Sequence, residues 1–128
     1  MTYPVERFSM EPTSSTPRIV DGSAVAWGGH PRFPGIQMKP LLTPADNALA
    51  NVSLVRVPPG GLVGRHRHPT QVETVYLLRG RSILTLGDTD RPLDAGQIVA
   101  IPIGLEHALR NNGTDLVELL AFFTPPNV

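Results

Sequence analysis

The sequence contains no cysteine, which excludes disulfide bonds and leaves any bound metal to nitrogen and oxygen ligands. No stretch approaches the roughly 18 consecutive apolar residues that a membrane-spanning helix needs. Acidic and basic side chains balance at 11 each, so the chain lacks the positive charge that attracts nucleic acid or anionic lipid. Acidic residues and prolines before residue 18 replace the apolar run of a signal peptide, and we therefore expect a cytoplasmic protein.

Turn residues, in contrast, are abundant: 14 prolines and 12 glycines lie at short intervals between apolar runs. This punctuation is typical of an all-β protein, and no segment of ten or more residues has a helical period. We predict a polar N-terminal arm over residues 1–17 and one domain over residues 18–128. The predicted strands cover 18–20, 24–27, 36–42, 50–57, 74–78, 82–86, 97–101, 105–109 and 116–123. Of these, 74–78 and 82–86 are expected to form a hairpin around Gly80, and 97–101 to be a buried strand.

Three side chains that commonly bind metals lie within eight positions: His66, His68 and Glu73. Residues two apart on a strand face the same side, so both imidazoles can point into one cavity. Glu73 follows His68 by an odd number of residues, but the turn-prone segment 69–71 can reset the phase. The three side chains are therefore expected to face one interior.

A fourth candidate is His107, which has Leu105 and Leu109 on its own side of a predicted strand. A single histidine among leucines is more often a hydrogen-bonded core residue than a ligand. Four buried ionisable groups in one small core would, however, each need separate compensation, whereas one cation would compensate all of them.

Ten positions across residues 60–111 form two ordered motifs. The first contains Gly60, His66-x-His68, Glu73 and Gly80, and the second contains Gly96, Pro102-x-Gly104, His107 and Asn111. Both motifs match the two cupin motifs without a gap, and the chain resembles a small single-domain cupin. The resemblance implies a jelly-roll β-barrel (double-stranded β-helix) and assigns the metal ligands as His66, His68, Glu73 and His107.

Three imidazoles and one carboxylate suit a six-coordinate divalent ion that keeps two positions for water, dioxygen or substrate. We expect Fe²⁺, Mn²⁺ or Ni²⁺, with Zn²⁺ or Cu²⁺ as alternatives, because the ligand set alone does not select among them. Glu73 is a ligand that can also act as a base.

The other notable residues are expected to have supporting roles. The motif glycines and Pro102 fit corners, and Asn111 fits a turn held by side-chain hydrogen bonds to the backbone. We expect Gln71 to be an exposed turn residue rather than a metal contact, His30 to be exposed rather than liganded, and Tyr76 to face away from the metal. The expected pocket lining is Val75, Leu77, Leu105 and Leu109. The remaining large aromatic residues are expected to lie at the barrel ends or in an oligomer contact: Trp27, Phe33, Phe122 and Phe123.

These features leave several functions open. The preferred hypothesis is an oxygen-dependent oxidoreductase, similar to a dioxygenase, that acts on a small organic molecule. The alternatives are an isomerase or lyase acting on a sugar-like or acidic metabolite, and a protein that binds a metal or small ligand without catalysis. A structural domain with an empty site is a weaker alternative. We also expect a homodimer, because similar small cupins pair and because residues 18–27 offer few partners within their own chain.

Overall fold

The computed structural model describes residues 17–126 and contains within them ten strands and a short 3-10 helix. The helix is Gly22–Ala24, and the strands are β1 (Gly28–Gly29), β2 (Gln37–Leu42), β3 (Asn51–Val57), β4 (Leu62–His66), β5 (Val72–Arg79), β6 (Arg81–Leu86), β7 (Thr89–Asp94), β8 (Ile98–Ile101), β9 (His107–Arg110) and β10 (Val117–Thr124). The predicted arm, apart from Pro17, lies outside the described residues. Over this part of the chain, no helix is long and apolar enough to cross a bilayer.

The strands form two antiparallel sheets that roll into a jelly-roll β-barrel, which confirms the predicted fold class. The larger sheet has the order β1-β2-β3-β10-β5-β8, and the smaller sheet has the order β4-β9-β6-β7. Alternate residues of each strand point between the sheets and form a shared core that includes Val55, Leu77, Leu84 and Leu109. Burying such side chains provides about 1.5–3 kcal/mol each.

The two ends of the barrel differ in their packing. At one end, which we call the closed end, Val57, Leu77 and Val117 are each 0% exposed. Asn111 joins the chain segments there: it donates to the carbonyls of Val57 (2.9 Å) and Asp115 (2.8 Å) and accepts from the Gly113 amide (3.0 Å). The predicted role of Asn111 in holding its turn is therefore confirmed. The other end, the open end, is where β4 finishes and β9 begins.

The predicted hairpin around Gly80 is wrong. β5 pairs with β8 and β10 in the larger sheet, whereas β6 pairs with β7 and β9 in the smaller one. Gly80 is the corner at which the chain leaves one sheet for the other. Its φ of +89° is left-handed, and a Cβ there would lie 2.6 Å from the Leu116 carbonyl oxygen. Only glycine satisfies both conditions.

Three further strand predictions need correction. Residues 18–20 and 24–27 are not strands, because Asp21 accepts hydrogen bonds from the Ser23 amide and hydroxyl and starts a 3-10 turn instead. Residues 89–94, which lie outside the predicted strands, form β7. The apolar strand β8 is only partly buried: Ile101 faces the core and is 2% exposed, whereas Ile98 lies on the opposite face and is 62% exposed.

Candidate metal centre

The four predicted ligand residues converge at the open end of the barrel. His66 ends β4, and its partner across the smaller sheet is His107, the first residue of β9. Glu73 comes from β5 in the opposite sheet, and His68 lies in the loop between β4 and β5. One ligand atom from each residue can be chosen so that all four lie within 4.8 Å of one another. The loop thus resets the strand phase as the sequence predicted, and we call these four residues the His/Glu cluster.

Backbone carbonyls orient two of the imidazoles. Nδ1 of His66 lies 2.7 Å from the Gly64 carbonyl oxygen, and Nδ1 of His107 lies 2.9 Å from that of Leu105. A carbonyl oxygen can only accept a hydrogen bond, so each Nδ1 must carry the proton. Each ring therefore directs Nε2 into the cluster, which is the arrangement that metal-binding histidines adopt.

Glu73 is the charged centre of the cluster. Nε2 of His107 lies 3.0 Å from its Oε1, and Nε2 of His68 lies 3.4 Å from the same oxygen. Burial raises the pKa of Glu73, but the hydrogen bond from His107 and the proximity of His68 outweigh burial and lower the pKa to about 2. Burial lowers the pKa of His107, yet the Glu73 carboxylate and the Leu105 carbonyl together raise it. Burial lowers the pKa of His66.

His68 supplies the test of whether these residues fit a metal ion. Its Nε2 is buried and has no hydrogen-bond partner within residues 17–126, since the 3.4 Å approach to Glu73 does not form a hydrogen bond. A buried, unpaired ring nitrogen is costly unless a ligand compensates it. Three imidazole nitrogens and one carboxylate are a suitable donor set for a divalent transition metal. The residues present therefore fit such an ion.

Aromatic rings cover the cluster. The Phe33 ring lies 5.2 Å from that of His66, and the Phe123 ring lies 4.8 Å from that of His68. The expectation that these phenylalanines close a barrel end agrees with this position. Trp27 instead lies away from the cluster. The centre of its ring is 4.0 Å from the guanidinium carbon of Arg56 and 4.8 Å from the ammonium nitrogen of Lys39.

His30 is half-buried and lines the cavity, whereas the sequence predicted exposure. It does not belong to the His/Glu cluster. Its Nδ1 accepts a hydrogen bond from the Arg32 amide at 3.0 Å, and its ring stacks 4.8 Å from Phe33. Burial lowers the pKa of His30, and Arg32 lowers it further. His30 is therefore a neutral imidazole beside the site.

The cluster opens into a cavity of about 480 Å³ between the sheets. Its inner wall is largely apolar and includes Val55, Val75, Leu109, Leu119 and Ala121. Cavities of this size commonly hold small organic molecules.

Some predictions about the lining need correction. Val75 and Leu109 line the cavity as expected, but Leu77 and Leu105 do not. Gln71 is half-buried in the lining rather than an exposed turn residue. Tyr76 is absent from the lining, in agreement with its predicted outward direction.

Sequence reasoning missed two polar residues of the cavity wall, Asn51 and Ser53. Both belong to β3, in which alternate residues share a face, so Ser53 lies on the same side as Val55 and Val57. A serine at an inward position of an otherwise apolar face was the signal that could have identified it.

The chain resembles known proteins over most of its length. The Cupin domain family matches residues 53–123, which contain the whole His/Glu cluster. The chain is 31% identical over 113 residues to a protein named Polyketide synthase CurC from Streptomyces cyaneus, covering 85% of this chain and 70% of that protein. It is 33% identical over 67 residues to a protein named Oxalate-binding protein from Thermotoga maritima, covering 52% of this chain and 55% of that one.

The fold is also found among solved structures. The crystal structure of a predicted oxalate decarboxylase from Thermotoga maritima superposes with a TM-score of 0.78 at 26% identity. The match covers 84% of this chain and 99% of that one. Both the sequence motifs and the arrangement of the two sheets therefore agree with one family.

Proposed function

Because the chain belongs to the cupin family, we propose that His66, His68, Glu73 and His107 hold one divalent metal ion. We further propose that the protein is an oxygen-dependent oxidoreductase that acts on a small organic molecule. The observation that carries this proposal is the composition of the cavity wall. Apart from the His/Glu cluster, the described lining contains one side chain suited to proton transfer near neutral pH, His30.

This composition favours chemistry centred on the metal over isomerase or lyase chemistry. Isomerases and lyases generally need an acid and a base that are separate from any ligand. The described lining has no lysine or tyrosine and no carboxylate other than Glu73. When bound, an Fe²⁺ or Mn²⁺ ion supplies Lewis-acid polarisation and reactivity toward dioxygen at the positions that the protein leaves open.

The chain's own residues have definite tasks in this proposal. Glu73 directs Oε1 toward the imidazoles, 3.0 Å from Nε2 of His107 and 3.4 Å from Nε2 of His68. In this proposal its second carboxylate oxygen accepts a proton from a substrate hydroxyl. The apolar wall orients the body of the substrate and excludes water, and Phe33 and Phe123 shield the imidazoles.

The name of the Streptomyces cyaneus relative suggests a polyketide-type substrate. Such a molecule has an apolar carbon body with several oxygen substituents, which suits an apolar cavity with few polar positions. A second candidate function is ligand binding without catalysis. The name of the Thermotoga maritima relative and the scarcity of acid/base groups favour this alternative.

Elemental analysis of protein purified without added metal, followed by oxygen-electrode assays on a panel of phenolic and diketone compounds, tests the proposal. We expect about one equivalent of iron or manganese, and oxygen uptake that disappears in His68→Ala. Stoichiometric metal without oxygen uptake, together with tight ligand binding, would favour the binding protein. Metal content that is unchanged in His68→Ala would contradict the ligand assignment.

We also propose that two copies form a homodimer through the outer face of the larger sheet. The support comes from an apolar row that crosses four neighbouring strands in register: Leu54, Leu120, Tyr76 and Ile98. The sequence argument for a dimer was partly wrong, since Arg18 pairs with Asp46 at 3.1 Å and the Gly22 carbonyl accepts from Lys39 at 2.8 Å within one chain. The cytoplasmic location stays a prediction.

Light scattering tests the dimer. We expect twice the chain mass for the wild type and a monomer for Ile98→Glu, because a buried, unpaired carboxylate would be costly at the interface. A monomeric wild type at high micromolar concentration would contradict the proposal.

A further inference from the structure

Two serines are equally buried but face different surroundings. Ser53 and Ser82 are each 2% exposed. The Ser82 hydroxyl donates to the Leu93 carbonyl at 2.8 Å, as a buried hydroxyl normally does. Ser53 instead lines the cavity. Because its side chain is one carbon and a hydroxyl, it presents a polar group to an otherwise largely apolar inner wall.

The strand register fixes where this hydroxyl lies. Ser53 pairs with Ala121, and Ala121 pairs with Val75, which follows Glu73 on the same face of β5. Ser53 is therefore one row deeper than Glu73 and two strands away, about 12 Å when the strand spacing and the rise per residue are combined. The small Ala121 side chain lies between them, so the cavity continues from the His/Glu cluster to Ser53.

The surroundings limit the chemical group that Ser53 can receive. The cationic residues of the lining, Arg32 and Arg67, are both exposed. Apolar side chains, including Val55 and Leu119, surround the inner wall near Ser53. A buried anion beside a single hydroxyl would lack the pairing that it needs, whereas a neutral oxygen would not.

We propose that Ser53 donates a hydrogen bond to a neutral oxygen, a keto or hydroxyl group, at the far end of a ligand whose near end lies at the His/Glu cluster. The ligand is a compact molecule with an apolar body and an oxygen substituent at each end. This inference rests on the proposed function for the anchoring of the near end at the metal. It excludes dianions and polyhydroxylated sugars, whose additional polar groups would face the apolar wall.

A pair of probes isolates the contribution of Ser53. The parent probe is a naphthoic acid with one hydroxyl beside its carboxylate, and the matched probes carry one more hydroxyl at successive positions of the far ring. Calorimetry on zinc-loaded protein measures binding without turnover. The variants are Ser53→Ala and, as control, Ser82→Ala, which removes a buried hydroxyl away from the cavity.

In the wild type, we expect at least one dihydroxy probe to bind about 3- to 10-fold more tightly than the parent, the usual gain from one hydrogen bond. In Ser53→Ala this gain should fall to within about twofold, while zinc content and parent affinity are retained. Ser82→Ala should keep the gain but melt at a lower temperature. Ser53→Ala should lower the melting temperature less than Ser82→Ala, because Ser53 faces the cavity whereas the Ser82 hydroxyl holds the Leu93 carbonyl.

The inference is overturned if no dihydroxy probe gains affinity in the wild type, or if the gain survives in Ser53→Ala. Failure of the proposed function has a separate signature, because the parent probe would then bind equally well with and without zinc. The two results are independent, since the gain from the added hydroxyl is a ratio measured on the same protein preparation.

Discussion

The closed and open ends of the barrel treat buried polar groups in opposite ways. At the closed end, the Asn111 side chain is 1% exposed and uses both its amide nitrogen and its oxygen in hydrogen bonds to three backbone groups. At the open end, Nε2 of His68 is buried without a hydrogen-bond partner within residues 17–126, and the Ser53 hydroxyl lines the cavity. Polar groups that hold the closed end are hydrogen-bonded within the chain, whereas the buried His68 nitrogen is not. The comparison separates groups that stabilise the fold from groups for which we propose a bound ion or ligand.

The largest expected effect is at the closed end, in Gly80→Ala. The new Cβ would meet the Leu116 carbonyl oxygen at 2.6 Å in a left-handed backbone, and we expect a loss of about 3 kcal/mol or more in unfolding free energy. Gly96 has the same φ of +89° but no atom within 4 Å of its Cβ position, so Gly96→Ala should cost about 1–2 kcal/mol. Urea unfolding of both variants measures the difference, which would vanish if the contact were unimportant.

A smaller loss is expected for Asn111→Ala, which leaves three backbone groups of the closed end without their partner. We expect a loss of about 2–3 kcal/mol with metal content unchanged. Asn112→Ala is the matched control, since Asn112 is exposed and should change stability by less than about 0.5 kcal/mol. Loss of metal in a folded Asn111→Ala protein would show that the two ends are not separate.

The smallest effect on the metal-free protein is expected for His68→Ala. Because this change removes an unsatisfied nitrogen, it should alter the unfolding free energy by no more than about 1 kcal/mol when a chelator is present. The same variant should lose stoichiometric metal, and with it the stabilisation that an ion gives by binding only the folded state. His30→Ala should keep the metal. A loss above about 3 kcal/mol in the chelated protein would make His68 a residue of the fold.

Local sequence rules were enough to find the His/Glu cluster. The alternation of strand residues placed His66 and His68 on one side, and the turn-prone segment after His68 restored the phase for Glu73. His107 needed the second motif, because nothing local distinguishes a ligand from a core histidine. The structure brings all four together since His66 and His107 are cross-strand partners.

Features that depend on strand order could not be predicted in the same way. The glycine at position 80 indicates a sharp corner, but a corner within one sheet and a corner between two sheets have the same local sequence. The apolar composition of β8 predicts burial only if both faces of the strand are covered, and in this sheet the face that carries Ile98 is 62% exposed at that residue. The exposure of Ile98 therefore follows from topology.

Ser53 shows the same limit at the scale of one hydroxyl. Its inward direction follows from alternation along β3, but what its hydroxyl faces depends on the neighbouring strands. The hydroxyl of Ser82 reaches the backbone carbonyl of Leu93 on the adjacent strand β7, whereas Ser53 lies beside the small Ala121 side chain and lines the cavity.

The hydrogen bonds from Nδ1 of His66 and His107 end on main-chain carbonyls, each two residues earlier in the chain. Many metal-binding histidines are oriented by the side chain of another residue, which a single mutation can remove. Here every amino acid at positions 64 and 105 carries the required acceptor, so the ring orientation tolerates sequence change at those positions. The side chains of the cavity wall can therefore change during evolution without altering the orientation of these two imidazole rings.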